Sequence, residues 1–85
     1  MATSITHWPI AVFEDRYEGC YSRGRWLAVS KADELIGGEK RASWVLGNGP
    51  FGGDTEAMRF WDGAPNWIAA GDTPEQAVKH LLDQN

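Results

Sequence analysis

The closing stretch GDTPEQAVKHLLDQN, residues 71–85, constrains the fold more than any other part of the chain. Thr73 is an N-cap residue, Pro74 suits the first helical position, and Gln76 stands three residues after the cap, where it completes a capping box. Ala77, Val78, Leu81 and Leu82 then recur at helical spacing on one face, and Lys79 and His80 come late enough to favour the helix dipole. A short helix with one apolar face is marginal in isolation. It needs a sheet to lie on.

The preceding residues read as short strands. WPIAVFED (8–15) puts Ile10 and Val12 on one face and Ala11 and Phe13 on the other, with Pro9 at a strand start. RYEG turns the chain, and CYSRGRWLAVS (20–30) reads as the return strand of a hairpin, kinked at Gly24. KADELIGGEK (31–40) is a connector with a helical turn that breaks at Gly37 and Gly38. RASWVLG (41–47) carries the β-formers Trp44 and Val45 and reads as a third strand. In TEAMRFWDG (55–63), Met58 and Phe60 alternate around Arg59 as in a strand, although Asp54 and Thr55 would also cap a short helix; strand is the assignment. NWIAA (66–70) follows the turn DGAP as a short strand. The fold class is therefore α+β: one antiparallel sheet of about four to five short strands with one amphipathic C-terminal helix on one face.

Eighty-five residues make a single domain near the lower limit for a self-sufficient core. Trp8, Trp26, Trp44, Trp61 and Trp67 are many for this length, and each can bury on the order of 200 Å². They are expected to replace the disulfides or metals that staple other small domains. A formal charge of −4 disfavours direct binding to nucleic acid or anionic lipid and favours a basic protein partner. Cys20 is the only cysteine, so no internal disulfide or cysteine-built zinc site forms. With no apolar run of membrane-spanning length and no signal-peptide pattern in residues 1–8, the expected compartment is the cytosol.

VLGNGPFGGD (45–54) spaces Gly47, Gly49 and Gly52 as in a dinucleotide-binding loop. Pro50 removes one N–H donor, Asp54 places a negative charge near the phosphate position, and residues 53–63 are too short for a crossover helix. The loop is read as a turn between two strands, its glycines supplying turn dihedrals. Cys20, set in a strand, reads as a small buried apolar residue, and His7 and His80 belong to no recognisable catalytic or metal motif. His80 reads as solvated. No enzyme, cofactor or metal is expected.

The hairpin FEDRYEGCYSRGRW (13–26) gathers acids and tyrosines at one tip. Arg23 and Arg25 between its aromatics suggest a single-strand platform, but the net charge opposes it. Glu14, Asp15, Tyr17, Glu18 and Tyr21, with Asp54, Glu56 and Asp62, are the candidate partner-binding residues: tyrosine brings contact area at low entropic cost and acids select basic partners.

The segment AAGDTPEQAVKHLL (69–82) is similar to the strand-into-helix segment of HicB-like antitoxins. As a whole, on FEDRYEGCYSRGRW together with GDTPEQA, the chain resembles the small acidic proteins that phages encode against bacterial defence, anti-CRISPR proteins among them. That resemblance implies a non-enzymatic inhibitor which docks on a basic surface of a CRISPR effector or other nucleic-acid-handling complex and blocks target DNA; exposed-edge strands and surplus tryptophan leave monomer and homodimer both open. The antitoxin likeness implies the alternative, a binding module that neutralises a small basic toxin.

Overall fold

The computed structural model describes residues 7–84. The chain is α+β, with strands β1 (Ala11–Glu14), β2 (Trp26–Val29), β3 (Leu35–Ile36), β4 (Glu39–Lys40) and β5 (Ile68–Gly71) and helices α1 (Arg41–Gly47), α2 (Asp54–Asp62) and α3 (Pro74–Asp83). A single 3₁₀ turn, Gly49–Phe51, joins α1 to α2. The main sheet has three antiparallel strands in the order β1-β2-β5, and β3 pairs only with β4.

Strand parity sorts the core into two layers. Leu27 and Val29 of β2 and Ile68 of β5 point to one side, where they meet Val45, Trp44, Phe51, Phe60, Trp61 and Trp67. Ala28 and Ala69 point to the other, where Ala77 and Leu81 of α3 cover them with Trp26 and Val78 at the margin. Leu27, Val29, Val45, Ile68 and Leu81 are fully buried, each stabilising the fold by about 1.5–3 kcal/mol. On the aromatic side, Phe60 meets Trp61 and Trp67 edge-on with ring centroids 5.2 and 6.1 Å apart. Three of the five tryptophans thus build one wall of the core, while Trp8 is 54% exposed.

Helix α3 forms as its spacing predicts. The Gln76 N–H donates to Thr73 Oγ1 at 3.0 Å, and the Gln76 side chain accepts the Asp72 N–H at 2.9 Å, one residue ahead of the usual reciprocal bond. Replacing Thr73 with alanine should therefore lower stability by about 1 kcal/mol in chemical denaturation, and an unchanged midpoint would show that Pro74 alone starts the helix. The helix sits so close to β5 that a Cβ on Gly71 would lie 2.4 Å from the Ala77 nitrogen.

Several segments depart from expectation. The return strand is confined to Trp26–Val29, and residues 20–25 belong to a loop. Gly24 lies outside the strand and presses on β5, where a Cβ would stand 2.5 Å from the Gly71 nitrogen. In place of a helical connector, Gly37 and Gly38, at φ 57° and 87°, turn the β3–β4 ribbon, as a two-residue hairpin with positive φ at both positions requires. Residues 41–47 are helical, not a strand, because Arg41, Trp44 and Val45 then share the inward face. Residues 54–62 are also helical, with Ala57 buried and Phe60 and Trp61 turned to the core, so the alternation of Met58 and Phe60 is incidental. The glycine loop consequently joins two helices, not two strands, and a helix does open after it.

Arg41 anchors the aromatic layer from within. Nearly buried, it donates from Nη1 to the Ser30 carbonyl at 2.8 Å and from Nη2 to Glu34 Oε1 at 3.0 Å, and its guanidinium lies 4.5 Å from the Trp67 ring centroid. Cation–π contact and desolvated hydrogen bonds together fix where α1 begins.

Candidate functional site

Loop 15–25 is organised by one carboxylate. Asp15, 3% exposed, accepts the Gly19 N–H at 2.8 Å on Oδ2, with the Ser22 hydroxyl 2.9 Å from the same oxygen. Backbone bonds from Glu18 to the Asp15 carbonyl and from Cys20 to the Tyr17 carbonyl tighten the turn. Glu18, Gly19 and Arg23 take left-handed φ values of 55°, 91° and 68°. For the two non-glycine residues such geometry costs of order 1 kcal/mol each and persists only where the surroundings impose it.

The surroundings are the glycine loop. Arg16 donates from Nη1 to the Phe51 carbonyl at 2.7 Å, the Tyr17 hydroxyl donates to the Gly52 carbonyl, and the Tyr21 hydroxyl donates to Asp54 Oδ1 at 3.0 Å. Tyr17 and Tyr21 meet edge-on, ring centroids 5.3 Å apart, with the Arg16 guanidinium 5.2 Å from the Tyr17 centroid. Glu56 closes the loop from the other side by accepting the Gly49 N–H at 2.6 Å. Gly49 supplies the expected turn dihedral at φ 55° and also close packing, since a Cβ there would lie 2.8 Å from the Phe60 ring; one on Gly52 would overlap the Glu56 carboxylate, whereas one on Gly47 would meet nothing within 4 Å. A backbone donor of the loop thus already holds an anion, the chain's own.

The two loops that stand out in the sequence are therefore one site. Tyr21 and Asp62 line a shallow depression with Cys20, Ser22, Arg23, Met58 and Trp61, and Asp54 stands beside it on the Tyr21 hydroxyl. Met58 is 48% exposed there. Glu18 projects into solvent from the same loop.

The remaining candidates lie elsewhere or serve the fold. Glu14 sits on β1 and accepts from Arg25 Nε at 2.7 Å, an exposed pair that contributes little to stability. Asp15 is interior, a correction to its reading as part of an exposed tip: the loop's own donors hold Oδ2, while Oδ1 is buried without a hydrogen-bond partner among the described residues. Tyr17 and Glu56 hold the loops together. Cys20 is exposed on the loop and not buried in a strand, and the His80 Nδ1 is 2.7 Å from the Ala70 carbonyl, so this ring is engaged with β5 and not merely solvated. Arg16, Arg23, Met58 and Trp61 are the residues that sequence reasoning missed. Helical spacing of Ala57, Phe60 and Trp61 was the signal that would have turned Met58 outward.

Among the described residues, two ionisable groups are shifted. Tyr21 ionises above its usual 10.0, first because its O–H donates to Asp54, then through desolvation and the Asp54 charge. Arg25 is raised by its bond to Glu14. The folded state therefore holds the Tyr21 proton more tightly than the unfolded chain, a contribution complete below pH 10 and lost as pH rises through the raised value. In a Tyr17→Phe background, Asp54→Asn should move the tyrosinate absorbance midpoint of Tyr21 downward; an unmoved midpoint would mean that the hydroxyl is not held by Asp54.

Among the described residues, no group of three or more His, Cys, Asp or Glu could hold a metal ion, and no helix is long and apolar enough to cross a membrane. Comparison with protein families, curated proteins and solved structures finds no match. The functional reading rests on the residues themselves.

Proposed function

We propose that the chain is a non-enzymatic protein-binding inhibitor that docks the face around Tyr21, Asp54, Met58 and Asp62 on a basic surface of a nucleic-acid-handling complex and keeps DNA from that surface. A bacterial CRISPR effector is the specific target we propose, from the sequence resemblance, with the bacterial cytosol as the compartment. The supporting observation is the bond from Tyr21 to Asp54, which joins segments 33 residues apart into one face before any partner arrives. A face ordered in advance forgoes part of the entropic penalty of association. Its acids select for positive charge and accelerate encounter, and its aromatic rings and Met58 supply contact area.

The test is co-elution of the protein with a purified effector complex at low salt, followed by displacement of target DNA. Retention is expected to fall as salt rises, because the acids are exposed. The variant Asp62→Lys, which leaves the Tyr21–Asp54 bond in place, should weaken binding while keeping its melting temperature, and adding Asp54→Lys should abolish binding with a modestly lowered melting temperature from the lost Tyr21 bond. No retention at low salt, or retention indifferent to Asp62→Lys and to the double variant, rules this reading out. Capture by a small basic toxin in place of the effector would favour the antitoxin alternative.

A further inference from the structure

A cavity of about 290 Å³ opens where His7, residues 30–34 and the first residue of α1 meet Trp67. Backbone bonds fix its walls: the Lys31 N–H donates to the His7 carbonyl and the Ser30 N–H to the Trp67 carbonyl, each at 2.8 Å. Lys31 takes a left-handed φ of 50°, a conformation that a non-glycine residue holds only where its surroundings impose it and that clusters at ligand sites. None of these residues belongs to the face around Tyr21.

The cavity holds more donors than the fold uses. His7 and Arg41 are 6% and 7% exposed, yet His7 Nδ1 and Arg41 Nε are buried without a hydrogen-bond partner among the described residues. The other His7 ring nitrogen and the Ser30 hydroxyl make no hydrogen bond there either. Polar groups closed off in this way are destabilising, and a core shaped for stability alone would pair them. The acceptors, by contrast, are already engaged. Glu34, the only acid among the described lining residues, has Oε1 3.0 Å from Arg41 Nη2 and Oε2 3.9 Å from Lys31 Nζ, and the Ser30 carbonyl accepts from Arg41 Nη1. Two cations thus stand against one carboxylate, which makes the cavity locally positive in a chain of formal charge −4. Arg41 acts there as a fixed charge, because Ser30, Glu34 and the Trp67 ring hold its guanidinium.

We propose that this cavity binds a small organic carboxylate, its oxygens toward Lys31, His7 and Ser30 and its apolar body against Trp67. The surplus of donors and of positive charge selects an anion with acceptor oxygens. His7 donates through Nε2, since Nδ1 is sealed. Trp67, partly buried, adds an apolar wall that an inorganic oxyanion cannot use, and the volume lies at the lower end of the range for small-molecule sites. A flat body the size of benzoate meets both demands.

Titration of the full chain with sodium benzoate at constant ionic strength, followed by NMR of the His7 ring and the Trp67 indole N–H, tests this. Both signals should shift and saturate, with half-saturation at about 1–10 mM for a ligand of this size, while the Trp26 indole, in the layer under α3, stays in place. Benzamide has the same body without the charge, and inorganic phosphate the charge without the body; each should bind at least about tenfold more weakly. Lys31→Gln removes an exposed cation whose pair with Glu34 is loose, and should weaken benzoate about fivefold or more with an unchanged melting temperature. His7→Phe keeps a ring in the wall without its donor and should weaken benzoate by a similar factor; should it fail to fold, Lys31→Gln decides alone. No saturable shift by about 50 mM overturns the proposal. So does benzamide or phosphate binding as tightly as benzoate, or an affinity for benzoate indifferent to Lys31→Gln.

Discussion

Replacing Gly71 with alanine should lower the melting temperature by more than about 12 °C. A Cβ there would lie 2.4 Å from the Ala77 nitrogen and 2.7 Å from the Gln76 carbonyl carbon, both backbone atoms of α3 that no rotamer change can move aside. Helix and strand must separate. That withdraws Ala77 and Leu81 from Ala28 and Ala69, the whole of the second core layer. Overpacking against backbone costs about 3 kcal/mol or more, a large part of the roughly 4–13 kcal/mol available to a chain of this length. Gly63→Ala is the control, since a Cβ there meets nothing within 4 Å, and its effect should stay within about 0.5 kcal/mol. If both variants melt together, the approach of α3 to β5 is looser than described.

Asp15→Ala should destabilise by about 2–4 kcal/mol, the second-largest effect expected of a single substitution. The change removes the acceptor of the Gly19 N–H and a partner of the Ser22 hydroxyl from a site where water does not readily replace them. Its consequences reach beyond stability. Loop 15–25 carries Tyr17 and Tyr21 to the glycine loop, so losing the Asp15 bonds should also release Tyr21 from Asp54 and expose the Gly19 amide to hydrogen exchange. Asp15→Asn keeps an acceptor oxygen of the same reach and should recover most of the loss. Equal destabilisation by alanine and asparagine would mean that charge, and not the hydrogen-bond geometry, organises the loop.

These two substitutions illustrate how unevenly the sequence revealed the molecule. The Gly71 contact follows from an element that is legible locally: Thr73, Pro74 and Gln76 start α3, and its apolar spacing turns Ala77 and Leu81 inward. The role of Asp15 was hidden. An acid beside Arg16 in a polar turn has the composition of an exposed tip, and only the path of residues 19–22 around it makes it interior. The candidate site was legible in part. Tyr21, Asp54 and Asp62 were recognised as separate features, but their shared face depends on contacts between residues more than 30 apart in the chain.

What the sequence determined by itself was the α+β class, the first and last strands of the main sheet and the C-terminal helix with its cap, because each of these is encoded by spacing within a few residues. Tertiary structure alone decided the conformations of 41–47 and 54–62. Each is short, and Trp44, Val45, Phe60 and Trp61 favour strand by local preference. Burial overrode that preference. As helices, both segments place their aromatics together on Leu27, Val29 and Ile68, and that placement bends the glycine stretch into the loop that Arg16 and Tyr17 hold.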